Sequence, residues 1–166
     1  LRWKRYTDYQ FAAHDTVAPL VVQKLAKAAM SLPIAFIKQE EHFITAAVLG
    51  LQQGQNLFVT PEGKWISPYI PAIYRGYPFA LAQAENAQFV LCIDRDSGLV
   101  GEHHNETFFD ADGQPSKAIQ DVLSFLQQVR SNRQLTIRSC EVLEAEDLIQ
   151  PWPVKIRGKD AAEQTI

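Results

Sequence analysis

The chain has 166 residues, 46% hydrophobic, 10% aromatic and 21% charged, which is room for one ordinary domain with a buried core and too apolar for global disorder. Its 16 basic and 19 acidic residues leave a net charge of −3, so no basic field attracts a phosphate backbone or anionic lipid, and nucleic acid is excluded as a first reading of the partner. No segment supplies the ~18 consecutive apolar residues of a membrane span, and Cys92 and Cys140 alone cannot make a disulfide framework.

Residues 1–19 hold Trp3, Tyr6, Tyr9, Phe11 and His14 without clean periodicity and close on Pro19; they read as an irregular lead-in pinned by aromatics. Residues 23–31 are strong helix formers, and Pro33 ends that short helix because the residue before a proline is pushed out of the helical region. Residues 34–37 and 43–51, rich in β-branched and aromatic side chains, read as a hairpin of buried strands around a charged turn at 38–42. Residues 56–60 and 64–66 flank Pro61-Glu62-Gly63, a turn signal, and form a second predicted hairpin. Pro68, Pro71 and Pro78 limit residues 67–79 to a single helical turn around Ala72–Arg75. Residues 79–83 and 88–94 make a third strand pair, whose second member is apolar on both faces and so is expected in the middle of a covered sheet.

Residues 98–113 form a polar, acidic loop broken by Thr107, Phe108 and Phe109. After Pro115, which suits a first helical turn, Ile119, Val122, Leu123, Leu126 and Val129 recur at helical spacing. A second helix is expected through Ile137, Cys140, Leu143 and Leu148, stopping before Pro151 and Pro153. Residues 154–156, 157–160 and 163–166 read as a strand, a turn and a returning strand. The resulting fold class is α+β: an antiparallel sheet of hairpins in the first two-thirds, packed by two amphipathic helices near 115–148. Ile119, Val122, Leu126 and Val129 are expected against the sheet containing Leu91 and Ile93, and both cysteines as buried, inert thiols. Free thiols favour a reducing cytoplasm, with a surface-associated location as the alternative.

Asp94-Arg95-Asp96-Ser97-Gly98 resembles the start of a calcium loop, but the sixth and twelfth positions hold Leu99 and Asn105 rather than glycine and glutamate. Turn chemistry is the favoured explanation here, as it is for Asp110-Ala111-Asp112-Gly113. Glu102, His103, His104 and Glu106 concentrate metal-ligand types, so one reading is a metal-dependent enzyme gathering Asp94, Asp96, His103, His104 and Asp110 from the 94–112 loop. Adjacent histidines point apart on an extended chain, and no paired ligand spacing occurs. A nucleophile elbow, a phosphate loop and a cofactor motif are all missing, which weighs against an enzyme and calls for no cofactor.

The most unusual stretch is 65–79, WISPYIPAIYRGYPF, with five aromatics, three prolines and one arginine. Trp65, Tyr69, Tyr74, Arg75 and Tyr77 are the candidate ligand-binding residues, because rigid aromatics beside a guanidinium suit a protein partner or a small anionic or aromatic ligand. The commoner use of such rings, capping a sheet in the core, is the reading this binding surface competes with.

LPIAF (32–36), LGLQQGQNLFV (49–59), the run 63–79, LCIDRDSGL (91–99) and FFDADGQPS (108–116) closely resemble the bacterial SapC-like family, named for a component associated with a paracrystalline surface layer. The resemblance covers nearly the whole chain and implies a single SapC-like domain over 1–166, shorter at both ends than family members, which have no evident signal peptide. It carries over no catalytic residue. Family members are often encoded beside halogenase-like and cupin-like proteins and outer-membrane receptors, which implies an accessory binding role in a surface-layer, nutrient-uptake or halogenase-associated locus. His103 and His104 fall where the family pattern is loose.

Overall fold

Short strands punctuated by turns fill most of the chain before residue 108, and one long helix takes up most of the remainder. The computed structural model describes residues 1–85 and 88–153, together with the backbone of 155–157 and 163–165. The elements are β1 (Arg2–Trp3), β2 (Val17–Pro19), α1 (Leu25–Ala29), β3 (Ile34–Gln39), β4 (His42–Val48), α2 (Ala72–Arg75), β5 (Phe79–Gln83), β6 (Phe89–Ile93), β7 (Val100–Gly101), β8 (Glu106–Thr107), α3 (Lys117–Ala145), β9 (Lys155–Arg157) and β10 (Glu163–Thr165). The class is α+β, with every strand pair antiparallel.

The expected first hairpin forms, with β3 running against β4 from Ile34↔Ala47 to Gln39↔His42. β2 takes the other edge of β4, making the order β2-β4-β3. Being central, β4 buries Ile44, Thr45, Ala46 and Ala47 in succession, and the Thr45 hydroxyl is satisfied by donating to the Leu20 carbonyl at 3.0 Å. The second expected hairpin shrinks to a bridge between Val59 and Trp65. Its turn is closed by the Gly63 amide on the Thr60 carbonyl at 2.8 Å. Gly63 has φ +81 and a Cβ there would lie 2.9 Å from Asp8 Cβ, so conformation and space both require glycine.

β5 and β6 pair from Phe79↔Ile93 to Gln83↔Phe89 as expected, but as a two-stranded ribbon. No third strand takes the far edge of β6 among the described residues, so the predicted central strand leaves Phe89, Val90 and Cys92 exposed. Arg130 covers Phe89, its guanidinium carbon 3.3 Å from the ring centroid. Trp3, in the lead-in, is instead the middle of a small sheet of order β7-β1-β8. At the C-terminal end β9 and β10 pair as the expected strand and return, while Val154, Ile166 and the turn residues 158–162 lie outside the described residues.

The two helices expected near 115–148 are one, α3, of 29 residues. Residues 130–135 interrupt the apolar stripe with Arg130, Ser131, Asn132, Arg133 and Gln134, but contain neither glycine nor proline, so the polarity changes and the backbone does not. Pro115 stands just outside the helix. Ser116 is the cap: its Oγ accepts from the Ile119 amide at 3.4 Å and donates to the Thr107 carbonyl at 2.6 Å.

At 1.5 Å per residue α3 is about 44 Å long, enough to serve two cores. Near its start, Ile119 is buried with Trp3 and Phe79, whose rings meet edge-to-face at 4.8 Å. Leu91, Ile93, Val122 and Leu126 pack around them half-buried rather than fully buried, while Val129, also half-buried, lies outside that cluster. Near its end, Thr136 and Cys140 are buried. Thr136 Oγ1 accepts from the Val22 amide at 2.9 Å and donates to the Asn132 carbonyl at 2.7 Å. A separate cluster of Leu20, Leu32, Leu49, Trp65, Tyr69 and Tyr74 fills the space beneath β2 and β4. No helix among the described residues is long and apolar enough to cross a membrane.

The cysteines part company: Cys140 is buried, while Cys92 is exposed because β6 is an open edge. Burial pushes the Cys140 thiol pKa up. Iodoacetamide should therefore label Cys92 in the native protein and Cys140 only after denaturation; equal native rates would contradict this packing. Urea unfolding should show Ile119→Ala destabilised by about 2–4 kcal/mol and half-buried Leu126→Ala by less. Thr136→Val should cost about 1–3 kcal/mol by orphaning the Val22 amide.

Candidate functional site

Prolines 68, 71 and 78 keep residues 67–78 out of the sheets, and between them α2 makes one turn before Gly76. A Cβ at Gly76 would sit 2.8 Å from Leu126 Cδ2, so a larger residue there would have to push the end of the Leu126 side chain aside. That approach sets Arg75 over Phe125, its guanidinium carbon 5.1 Å from the ring centroid. The Tyr77–Pro78 peptide is cis.

The five candidate residues divide. Trp65, Tyr69 and Tyr74 are buried in the core cluster, and the Trp65 indole N–H donates to the Tyr69 carbonyl at 3.0 Å. Arg75 is exposed and Tyr77 half-buried. Tyr77 stacks on Phe11 with centroids 3.9 Å apart and planes 12° from parallel, and its hydroxyl donates to Asp94 Oδ2 at 3.1 Å. The lead-in supplies the rest of an aromatic network: Tyr6 meets Tyr9 and Phe11 at 5.3 and 5.2 Å, and Tyr9 meets Trp65 at 5.7 Å.

Around the exposed end of this network lies a concavity of about 240 Å³ lined by Trp3, Arg5, Tyr6, Arg75, Gly76 and Tyr77 together with Phe79 and Val122. It runs into a second hollow of about 410 Å³ that shares Arg5, Tyr6 and Arg75 and adds Ile70, Asp121 and Phe125. Neither Arg5 nor Arg75 has an ion pair among the described residues; Asp121 is already held by Lys117 at 2.7 Å. The buried Trp3 indole N–H has no hydrogen-bond partner among the described residues. Burial, with smaller contributions from Tyr9, pushes the Tyr6 pKa up to about 12 although Arg75 and Arg5 pull it down, so its phenol is a donor at neutral pH. Two guanidiniums and a phenol make a donor-rich pocket walled by rings, the chemistry of an anion site.

The sequence patterns do not reveal Trp3, Arg5, Tyr6 and Phe11 as site residues. Their available signal is the crowding of aromatics and arginines into the first eleven positions. The acidic and histidine loop is not a gathered site: no group of three or more His, Cys, Asp or Glu is placed to hold a metal among the described residues. Asp94 Oδ1 accepts from the Asp96 amide at 3.0 Å, and Asp110 Oδ1 from the Asp112 and Gln114 amides at 3.0 and 2.9 Å, which is the turn chemistry of the alternative reading.

Tyr6, Tyr69, Tyr74 and Tyr77 all hold their protons above the ordinary phenol value of 10.0, with burial the largest cause in each. The unfolded chain releases these protons near pH 10 and the folded chain only above it, so their stabilisation is complete below pH 10 and is lost as pH rises toward about 12. Urea midpoints should fall over that interval, and Tyr6→Phe should make the fall shallower; an unchanged slope would contradict the burial of Tyr6.

A sequence model described as SapC matches residues 1–166. No curated protein and no solved structure matches the chain. With the whole length covered, the chain belongs to the SapC family.

Proposed function

We propose that the chain is a non-catalytic binding or accessory protein that takes an anionic ligand with a flat apolar body, a carboxylate above all, in the concavity between Arg5 and Arg75. One observation carries this reading: two guanidiniums without ion pairs among the described residues line a ring-walled hollow that also holds Tyr6. A guanidinium left unpaired beside aromatic walls keeps its bidentate donors for a ligand, and the rings add stacking area at low entropy cost. Trp65, Tyr69 and Tyr74 support the site from within the core, whereas Arg75 and Tyr77 meet the ligand. A protein partner can present the same group as an acidic or C-terminal carboxylate. The role implied by the family resemblance is service to a surface-layer, nutrient-uptake or halogenase-associated locus, and the exposed Cys92 thiol fits a reducing cytoplasm better than an oxidising compartment.

Titration of the protein with phenylacetate and indole-3-acetate, followed by amide NMR, should shift residues around Tyr6, Arg75 and Phe125. Arg75→Ala should weaken binding by about tenfold or more, the usual value of a charge-assisted contact. Its melting temperature should change little, because an exposed cation–π contact is worth only about 0.5–1 kcal/mol. Unchanged affinity in Arg75→Ala, or no binding of either carboxylate, refutes the reading.

A further inference from the structure

Two sheet edges face each other across a groove of about 240 Å³, with Pro19, Leu20 and Val21 on one side and Phe79, Ala80 and Leu81 on the other. No residue of β3, β4 or β6 lines it, so these are the edges of β2 and β5 that lie away from their ladders. Leu126 and Val129 of α3 form its floor, and Arg130 and Arg133 follow on the same helix. Leu126 meets Gly76 while Arg130 covers Phe89, the partner of Gln83, so the arginines mark the Gln83 end of β5 and Phe79 the other. We propose that this groove takes an extended apolar peptide segment of a partner protein, which adds to β5 as a third strand and sets a carboxylate at the Arg130 and Arg133 end. The groove shares only Phe79 with the hollow between Arg5 and Arg75 and goes beyond the anion site.

The ladder between β5 and β6 decides which backbone groups are free. The Ala84 amide donates to the Gln88 carbonyl at 2.8 Å and the Asp94 amide to the Pro78 carbonyl at 2.9 Å. Even-numbered residues of β5 therefore exchange bonds with β6, and Leu81 and Gln83 turn their N–H and C=O groups outward. Those groups have no partner among the described residues, whereas the Phe79 amide is closed by the Gly76 carbonyl at 2.8 Å. On β2 the even positions also face the ladder, as the Leu20 amide on the Thr45 carbonyl shows, which leaves Pro19 at the groove with no N–H to offer. β5 thus supplies the pairing edge and β2 an apolar wall. A row of alternating donors and acceptors is completed by an extended chain, the mode of strand addition to an open sheet edge. Every second side chain of that strand then meets Leu126 and Val129 and is apolar. Charge selects among such strands: Arg130 and Arg133 are the only charged residues lining the groove among those described, and neither has an ion pair there. Arg133 gives one donor to Gln39 Oε1 at 3.1 Å and Arg130 rests on a ring, so both keep donors for a carboxylate.

The test titrates the protein with three synthetic peptides and follows its amides by NMR: acetyl-Val-Thr-Val-Thr-Val as the free acid, acetyl-Asp-Val-Thr-Val-Thr-Val as the amide, and acetyl-Val-Thr-Val-Thr-Val amide as the uncharged control. At least one charged peptide should shift Ala80, Leu81, Gln83 and Val129 and bind about tenfold or more tightly than the control, the worth of one charge-assisted hydrogen bond. Methylating its amide nitrogens should abolish binding. The double variant Arg130→Gln, Arg133→Gln should bring it to the level of the control, and Leu81→Pro should remove the edge donor while sparing the bonds to β6. Arg75→Ala should leave peptide binding unchanged, so failure of this groove and failure of the anion site are read separately. No binding of either charged peptide, equal binding of charged and uncharged forms, survival of binding after amide methylation, or its loss in Arg75→Ala would each overturn the proposal. So would decanoate binding as tightly as the peptide, which makes the occupant an alkyl carboxylate, or a dimer in sedimentation velocity that covers the same amides, which makes it a second copy of the chain. Should a variant fail to fold, the comparison of charged, uncharged and methylated peptides on the unaltered protein still decides it.

Discussion

One helix has to serve sheets that cannot stand alone. Two- and three-stranded sheets are marginal in water without a covering layer, and this chain has several, none wider than three strands among the described residues. α3 provides much of that layer, reaching β5 near its start and β4 and the Val22–Lys24 turn towards its end. Its two buried stations differ in chemistry. Ile119 contributes apolar burial beside Trp3 and Phe79, whereas Thr136 ties the helix to the chain before α1 through the Val22 amide. The polar stretch between them reaches outward, with Arg133 on Gln39 Oε1 at 3.1 Å and Arg130 over Phe89. The exposed pair of His42 and Glu141 at 3.4 Å adds little by comparison.

The aromatic network arises from the same shortage of sheet. Where strands are too narrow to enclose a core, large rings fill the volume, and Trp65, Tyr69 and Tyr74 do so beside the small residues Ala12, Ala18 and Ala47. Burying these rings anchors α2, and the anchored turn then presents Arg75, Gly76 and Tyr77, the residues just after Tyr74. Arg75 and Tyr77 reach the surface because one turn of helix cannot bury every side chain against one core. Close approach to α3 at Gly76 fixes the guanidinium above Phe125. The candidate surface is thus built on residues whose first duty is packing, which is why five candidates chosen by residue type divide into three buried rings and two side chains that reach the surface.

Local chemistry was legible in the sequence where a single residue decides the outcome. Prolines confined α2 to Ala72–Arg75, β-branched and aromatic runs made the β3–β4 hairpin, apolar runs made the β5–β6 pair, and the spacing from Ile119 to Leu126 found the face of α3 that meets Leu91 and Ile93. Features set by distant partners were not legible. An apolar run such as FVLCI is consistent with a central strand, but whether a further strand arrives to cover it depends on the rest of the chain; here none does among the described residues, and Cys92 lies open. The polar interval at 130–135 hid the continuity of α3 because periodicity reports which face is buried, while only glycine, proline or a cap reports where a helix stops. Trp3 and Tyr6 were invisible as site residues for the same reason, since their partners lie at positions 75–79 and 119–122 and no local spacing encodes that meeting.

Net charge conceals the most informative feature of the surface. A chain with 16 basic and 19 acidic residues averages to −3, yet Arg5 and Arg75 line one hollow while Asp15 and Asp94 line another, and Tyr77 belongs to both. Opposite charges this near would ordinarily pair across the surface, since even an exposed guanidinium and carboxylate gain from contact. The Phe11–Tyr77 stack, with centroids 3.9 Å apart, occupies part of the boundary between them. The Tyr77 hydroxyl also holds Asp94 on its own side. Among the described residues neither the two guanidiniums nor the two carboxylates make an ion pair. Opposite signs therefore lie on the two flanks of one tyrosine, a local arrangement that the net charge of the chain averages away.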